Sequence, residues 1–277
     1  MRRKHALHQA HLALYALATR QSAEAADLAA LPRRLHDTQR LWWGLRDSWE
    51  RDAVVVQIYG RGGRPAGWWA PEAGAIRLAG LGHAWIGRDE ERGLDAASQS
   101  TLQIDGFPLN ECGLLIDQDL PDAGPARLRL DLGPARKDLG SPWRSAGTHQ
   151  ALRAVLVDHL PGRITAVGLG DALVGWPGAT RTWRLWLPPG VAVDLTADGV
   201  VLRQGGAALT LRLLTDAPLT LTHDRASGRL DAVGAFNTVL ALVILAPGEP
   251  AAVGAADGRL TWNGRSLGWD DDRLDWR

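Results

Sequence analysis

From Asp52 onward the chain is written almost wholly in period two. That pattern constrains the fold more than any other feature of the sequence. Arg127-Leu128-Arg129-Leu130-Asp131-Leu132 alternates cleanly between charged and apolar residues. Ala208-Leu209-Thr210-Leu211-Arg212-Leu213 and Pro218-Leu219-Thr220-Leu221-Thr222-His223 do the same. Strict alternation puts one kind of side chain on each face of a strand. Val54-Val55-Val56 with Ile58, and Thr182 to Leu187, read as strands buried on both faces. Turn dipeptides separate the runs: Asp198-Gly199, Gly205-Gly206 and Asn263-Gly264. Such pairs accept the positive φ of a tight hairpin. Strands and turns at this spacing predict a mainly β protein, a large antiparallel β-sandwich of the supersandwich kind over residues 44–277.

Residues 1–43 read differently. Leu7, Leu14, Leu17 and Leu28 share one helical face, alanine is abundant, and Pro32 ends or kinks the helix. A short second helix is expected over 33–43. The expected organisation is therefore one or two N-terminal helices followed by the sandwich. His5, His8 and His11 fall partly on one helical face, but with no carboxylate or cysteine beside them they read as a solvated face.

The 277 residues carry a net charge of +0. This speaks against a phosphate-tracking nucleic-acid protein, whose affinity rests on clustered cations. The longest apolar run, Val239 to Ala246, is too short to span a bilayer. The polar stretch after Met1-Arg2-Arg3-Lys4 lacks the apolar region of a secretory signal. One cysteine, Cys112, excludes an internal disulfide and a multi-cysteine zinc site. In its apolar setting it reads as a small hydrophobe. Thirteen tryptophans against two tyrosines and two phenylalanines stand out, because indole fills cores and also stacks on sugar rings. The acidic runs Asp89-Glu90-Glu91 and Asp270-Asp271-Asp272 read as solvated turns, and Gly60-Arg61-Gly62-Gly63 as a plain loop, since no helix opens after it.

A more specific pattern lies between Gly44 and Gly106. Gly44-Leu45-Arg46-Asp47-Ser48-Trp49 precedes the strand Ala53 to Tyr59. Trp68-Trp69-Ala70-Pro71-Glu72-Ala73-Gly74-Ala75-Ile76 follows, and later Gln99-Ser100-Thr101-Leu102-Gln103-Ile104-Asp105-Gly106. This arrangement resembles the start of the β-sandwich half of the heparinase II/III-like polysaccharide lyases. That family carries His-x-His-x-Asp-x-Gly-Ser-Phe at the first place and His-Asn-Thr-Leu-x-Val-Asp-Gly at the second. The strand ending in Asp171, and the following strand with Trp183, fit as well. The resemblance implies an acidic polysaccharide as partner and a periplasmic or secreted setting.

The family's chemistry does not carry over residue by residue. Its first motif histidine falls on Trp68, its second on Ala70, its aspartate on Glu72, its later histidine on Gln99 and the neighbouring asparagine on Ser100. Trp and Ala neither bind zinc nor move a proton, so no tightly bound zinc is expected. The family's sandwich follows an (α/α) toroid, and residues 1–43 are enough only for the last helices of one. The resemblance thus implies a catalytically degenerate relative that binds or scaffolds on polysaccharide. One alternative is an active lyase using a separate toroid, with Tyr59, His83, His149 and His159 as substitute acids and bases. Another is a mutarotase-like sugar-binding supersandwich. Candidate catalytic residues are Tyr59, Glu72, His83 and Gln99. Candidate sugar-stacking residues are Trp68, Trp69 and Trp85.

Overall fold

The computed structural model describes residues 31–60, 72–89, 98–105, 107–108, 113–133, 150–176, 178–270 and 273–277. The expected helix over 6–29 lies outside them, as do His5, His8, His11, Trp68, Trp69, Glu90, Glu91, Cys112, His149, Asp271 and Asp272. So do Arg61 to Gly63 of the glycine-rich loop. Residues 33–277 form a single compact unit, and its described residues make four antiparallel sheets.

The first sheet runs in chain order: β1 (Arg34–Asp37), β2 (Trp42–Arg46), β3 (Val55–Tyr59), β4 (Ala75–Gly80) and β5 (His83–Ile86). The helix expected over 33–43 is corrected here to β1 and the start of β2. Leu41, Trp43 and Leu45 alternate into the core, and Trp43 Nε1 donates to Gln118 Oε1 at 2.8 Å. Burial of one face decides between helix and strand where local propensity is weak. The carboxylate of Asp37 accepts from the amides of Gln39 and Arg40 and closes the β1–β2 turn.

A second five-stranded sheet contains β6 (Leu102–Ile104), β7 (Phe107–Pro108), β12 (Arg181–Trp186), β16 (Leu219–Asp224) and β17 (Arg229–Gly234), in the order β16-β17-β12-β6-β7. It abuts the first through backbone bonds from Gly87 to Trp186 (2.8 Å) and from Ile76 to Ser100 (3.1 Å).

The central sheet has eight strands: β8 (Leu114–Asp119), β9 (Ala126–Asp131), β10 (Gln150–Leu160), β11 (Ile164–Val174), β13 (Ala192–Leu195), β14 (Gly199–Gln204), β15 (Ala207–Thr215) and β18 (Thr238–Pro247). Their order is β13-β14-β15-β18-β11-β10-β9-β8. The expected hairpin dipeptides sit where required, with Gly205 and Gly206 at positive φ between β14 and β15.

Period two assigns the two faces of this sheet. Val155, Val157, Val167, Leu169, Ala241 and Val243 join the main core, shared with the two five-stranded sheets. Ala154, Leu156, Ala166, Leu240, Leu242 and Ile244 face the other way, into a second core. That core is closed by a four-stranded sheet: β19 (Gly254–Ala256), β20 (Arg259–Trp262), β21 (Arg265–Asp270) and β22 (Arg273–Trp276). Gly168 and Gly170 of β11 lie under Leu267 and Trp269, and a Cβ at Gly170 would overlap the indole. Glycine is required there by close approach of the next layer.

Candidate functional site

The register of β3 and β4 builds the site. Tyr59 pairs with Ala75 and Gln57 with Arg77. The turn leading into β4 is closed by bonds from the Gly74 amide to the Tyr59 carbonyl (2.7 Å) and from the Ala75 amide to the Glu72 carbonyl (2.8 Å). Gly74 takes φ +77°, which a side chain would strain. This turn sets Glu72 beside the Tyr59 end of the sheet.

Five side chains then meet. Arg77 donates through Nη2 to Glu72 Oε1 at 2.9 Å and through Nη1 to the Tyr59 hydroxyl at 2.9 Å. Its guanidinium carbon lies 4.3 Å from the Tyr59 ring centre. The Tyr59 hydroxyl in turn donates to Gln57 Oε1 at 3.1 Å. Arg88 brings Nη1 to 3.7 Å from the same Glu72 oxygen. Glu72, Arg77 and Arg88 all keep partial access to solvent, at 20%, 23% and 33%. Two guanidiniums thus converge on one Glu72 oxygen.

Beneath the turn lies a second pair, fully buried. Arg153 on β10 and Asp171 on β11 are direct cross-strand partners. Their two parallel bonds measure 2.6 Å each, and both side chains are 1% exposed. The same guanidinium donates through Nη1 to the Gly74 carbonyl, and the Thr101 hydroxyl donates to Ala73 O at 3.2 Å. The turn that carries Glu72 is thus fastened from below.

The other candidate residues are not brought to this cluster. His83 lies at the far end of the β4–β5 hairpin, opposite Gly80, and packs on Gly205. Its ring meets Trp85 edge-on at 6.1 Å. His83 and Glu72 therefore do not meet: the length of β4 separates them. Trp85 is corrected as a sugar-stacking residue. It is fully buried, and its Nε1 donates to Gly80 O at 3.0 Å. Gln99 is also fully buried, with Nε2 donating to Ser98 Oγ at 2.8 Å, so it presents nothing to a ligand at the surface. His159 sits on β10, its Nδ1 2.9 Å from Thr165 Oγ1, and burial holds its pKa below the ordinary histidine value. It belongs to the sheet packing, not to the cluster.

Arg77 and Arg88 were missed by motif matching. Arg77 had a signal of its own: it is the one charged residue in Ala75–Gly80, an otherwise apolar strand. Chemically the cluster suits an anion. Charge-assisted bonds from paired guanidiniums hold carboxylate or sulfate oxygens well. It does not suit proton transfer by arginine, which stays protonated. Nor does it suit zinc, because Glu72 is already engaged by arginine. Among the described residues no three His, Cys, Asp or Glu side chains converge on a metal position.

No protein-family model matches the sequence, and no curated protein matches it. Solved structures do. A crystal structure of heparinase III superposes with a TM-score of 0.59 at 13% identity, covering 85% of this chain and 42% of the other. The heparan sulfate lyase HepC from Pedobacter heparinus gives a TM-score of 0.64 at 12% identity, covering 92% and 43%. The chain spans less than half the length of these lyases, and the likeness is one of fold: a polysaccharide-lyase-like β-sandwich.

Proposed function

We propose that this chain is a glycan-binding member of the lyase-like sandwiches, using its cationic turn to hold an acidic polysaccharide without cleaving it. The observation that carries the proposal is the engagement of Glu72 by Arg77 and Arg88 while Tyr59 is tied to Arg77 and Gln57. β-Elimination next to a uronate needs a base for the ring proton and an acid for the departing oxygen. Here the carboxylate and the phenol are both engaged by Arg77. What the cluster retains is the third requirement, a cationic partner for the substrate's carboxylate or sulfate. In this proposal an anionic sugar group docks on the Arg77–Arg88 side of Glu72. Trp68 and Trp69, four and three residues ahead of Glu72 in the chain, supply the stacking surface.

A second reading is an active lyase completed by a toroid on another chain or segment. The coverage of 43% of the HepC chain favours it. One pair of measurements separates the two. Calorimetric titration with heparan sulfate oligosaccharides should show saturable binding that Arg77→Ala weakens roughly tenfold or more, the size of a lost charged hydrogen bond. Ultraviolet absorbance of the same mixtures should not rise. A rise that persists in purified protein and vanishes in Tyr59→Phe would replace the binding reading with the lyase reading.

A further inference from the structure

Glu72 already does to Arg77 and Arg88 what an anionic ligand would do. Its Oε1 accepts from Arg77 Nη2 at 2.9 Å and stands 3.7 Å from Arg88 Nη1. The Glu72 side chain is 20% exposed, so one anionic group can replace another there from solvent.

The two partners of this contact are held unequally. Arg77 is fixed without Glu72. Its Nη1 donates to the Tyr59 hydroxyl at 2.9 Å, its guanidinium carbon lies 4.3 Å from the ring centre, and its backbone pairs with Gln57 across β3 and β4. Glu72 lies ahead of β4, and among the described residues its carboxylate is met only by the two arginines. The contact is also incomplete. The buried Arg153 gives both Nε and Nη2 to Asp171. Arg77 gives Glu72 only Nη2, and its Nε, though buried, has no hydrogen-bond partner among the described residues. A guanidinium binds a carboxylate best through two parallel bonds, and Glu72 uses one.

We infer that Glu72 is a resident competitor for its own site. In the free protein its carboxylate holds the place that an anionic group of the ligand takes, and it must swing away before that group can bind. The identity of the ligand rests on the glycan-binding reading above, whereas the exchange rests on the contacts of Glu72 alone. No surplus of charge is needed, since competitor and ligand bring the same kind of group to the same donors. A tethered carboxylate acts at an effective concentration of roughly millimolar. A lone sulfate or a single uronate meets this as a threshold. A chain that adds contacts through neighbouring anionic groups or stacked rings can exceed it. Arg77 stays in place when Glu72 leaves, because Tyr59 holds it, so the donors remain preorganised. Glu72 thereby selects polyanionic chains over single anions.

The test uses the full chain, Glu72→Gln, Glu72→Ala, and Glu72→Gln combined with Arg77→Ala. The first probe is inorganic sulfate, read as the thermal midpoint against chloride at equal ionic strength. Sulfate also stabilises proteins in general by exclusion from their surface, so the quantity read is the difference between variant and parent. Low millimolar sulfate should raise the midpoint of both single variants by a few degrees more than that of the parent. Adding Arg77→Ala should cancel the difference. The second probe is heparan sulfate oligosaccharide in calorimetric titration. Glu72→Gln should bind it about tenfold more tightly than the parent does, once the tethered competitor is gone. Glu72→Ala, which leaves no oxygen to accept from Arg77, should bind at least as tightly. A sulfate response equal in parent and variants overturns the inference, whatever the oligosaccharide does. So does weaker oligosaccharide binding by both Glu72 variants at an unchanged midpoint, which would make the carboxylate part of the binding surface. A sulfate response confined to the variants, with no oligosaccharide bound by any of the proteins, keeps the competitor and removes the glycan reading.

Discussion

Two arginine–carboxylate pairs flank the same turn, and they do opposite work. Arg153 and Asp171 lie beneath Gly74, both 1% exposed, with two bonds to each other and one to the turn's backbone. Glu72 and Arg77 lie two residues before and three after Gly74, about a fifth exposed, and shared with Arg88 and Tyr59. A buried pair gains little over apolar filling but cannot lose one member cheaply. A solvent-facing pair contributes little to stability and stays free to exchange its partner for a ligand. The lower pair fixes the shape of the turn. The upper one stays within reach of solvent and of a ligand.

The comparison can be broken most forcefully from below. Asp171→Ala strands a buried guanidinium and should cost about 3–5 kcal/mol, read as a large drop in the denaturation midpoint. The double replacement Arg153→Met with Asp171→Leu should recover most of that loss. If it does not, the bond to the Gly74 carbonyl matters more than the pair. At the turn itself, Gly74→Ala forces a side chain into positive φ and against Leu132. A loss of about 1–3 kcal/mol is expected from strain and crowding. On the upper side, Arg77→Ala should move stability by no more than about 1 kcal/mol while removing most glycan affinity. A loss comparable to that of Asp171→Ala would mean the upper pair is structural too.

The smallest effect lies outside both pairs. Burial keeps the His159 pKa below its unfolded value. The unfolded chain therefore binds the extra proton first, and stability falls as pH drops below the ordinary histidine range of about 6.5 toward the lowered folded pKa. Chemical denaturation at a series of pH values should show this decline, and His159→Gln should flatten it. Persistence of the full decline in that variant would move its origin elsewhere.

The strands were legible wherever one face met the core and the other met water. Arg127 to Leu132 became β9, and Pro218 to His223 became β16, because alternation there is a direct record of burial. Arg34 to Trp43 misled for a physical reason. Its apolar residues are too few to fix a period, and it is Trp43 reaching Gln118 across the core that settles the strand. The fold likeness announced by Gly74 and Asp171 was real, but those two residues mark the turn and its fastening, not its chemistry. Trp85 and Gln99 sat in promising motifs and are buried, which no spacing within one segment reveals. Arg88 acts on Glu72 only because a backbone bridge to Gln99 holds it there, a contact set by tertiary structure.

The glycine stripe of β11 has a consequence for how the chain is made. Gly170 is waiting for Trp269, about a hundred residues later, and at roughly 5–20 residues per second of synthesis the wait is on the order of ten seconds. Late in that interval Leu240, Leu242 and Ile244 join the same face. By Leu245 the first core has all its residues, while the second still lacks Leu260, Leu267 and Leu274. Closure is a late event, and Trp269 settling on bare backbone is the step that ends the exposure.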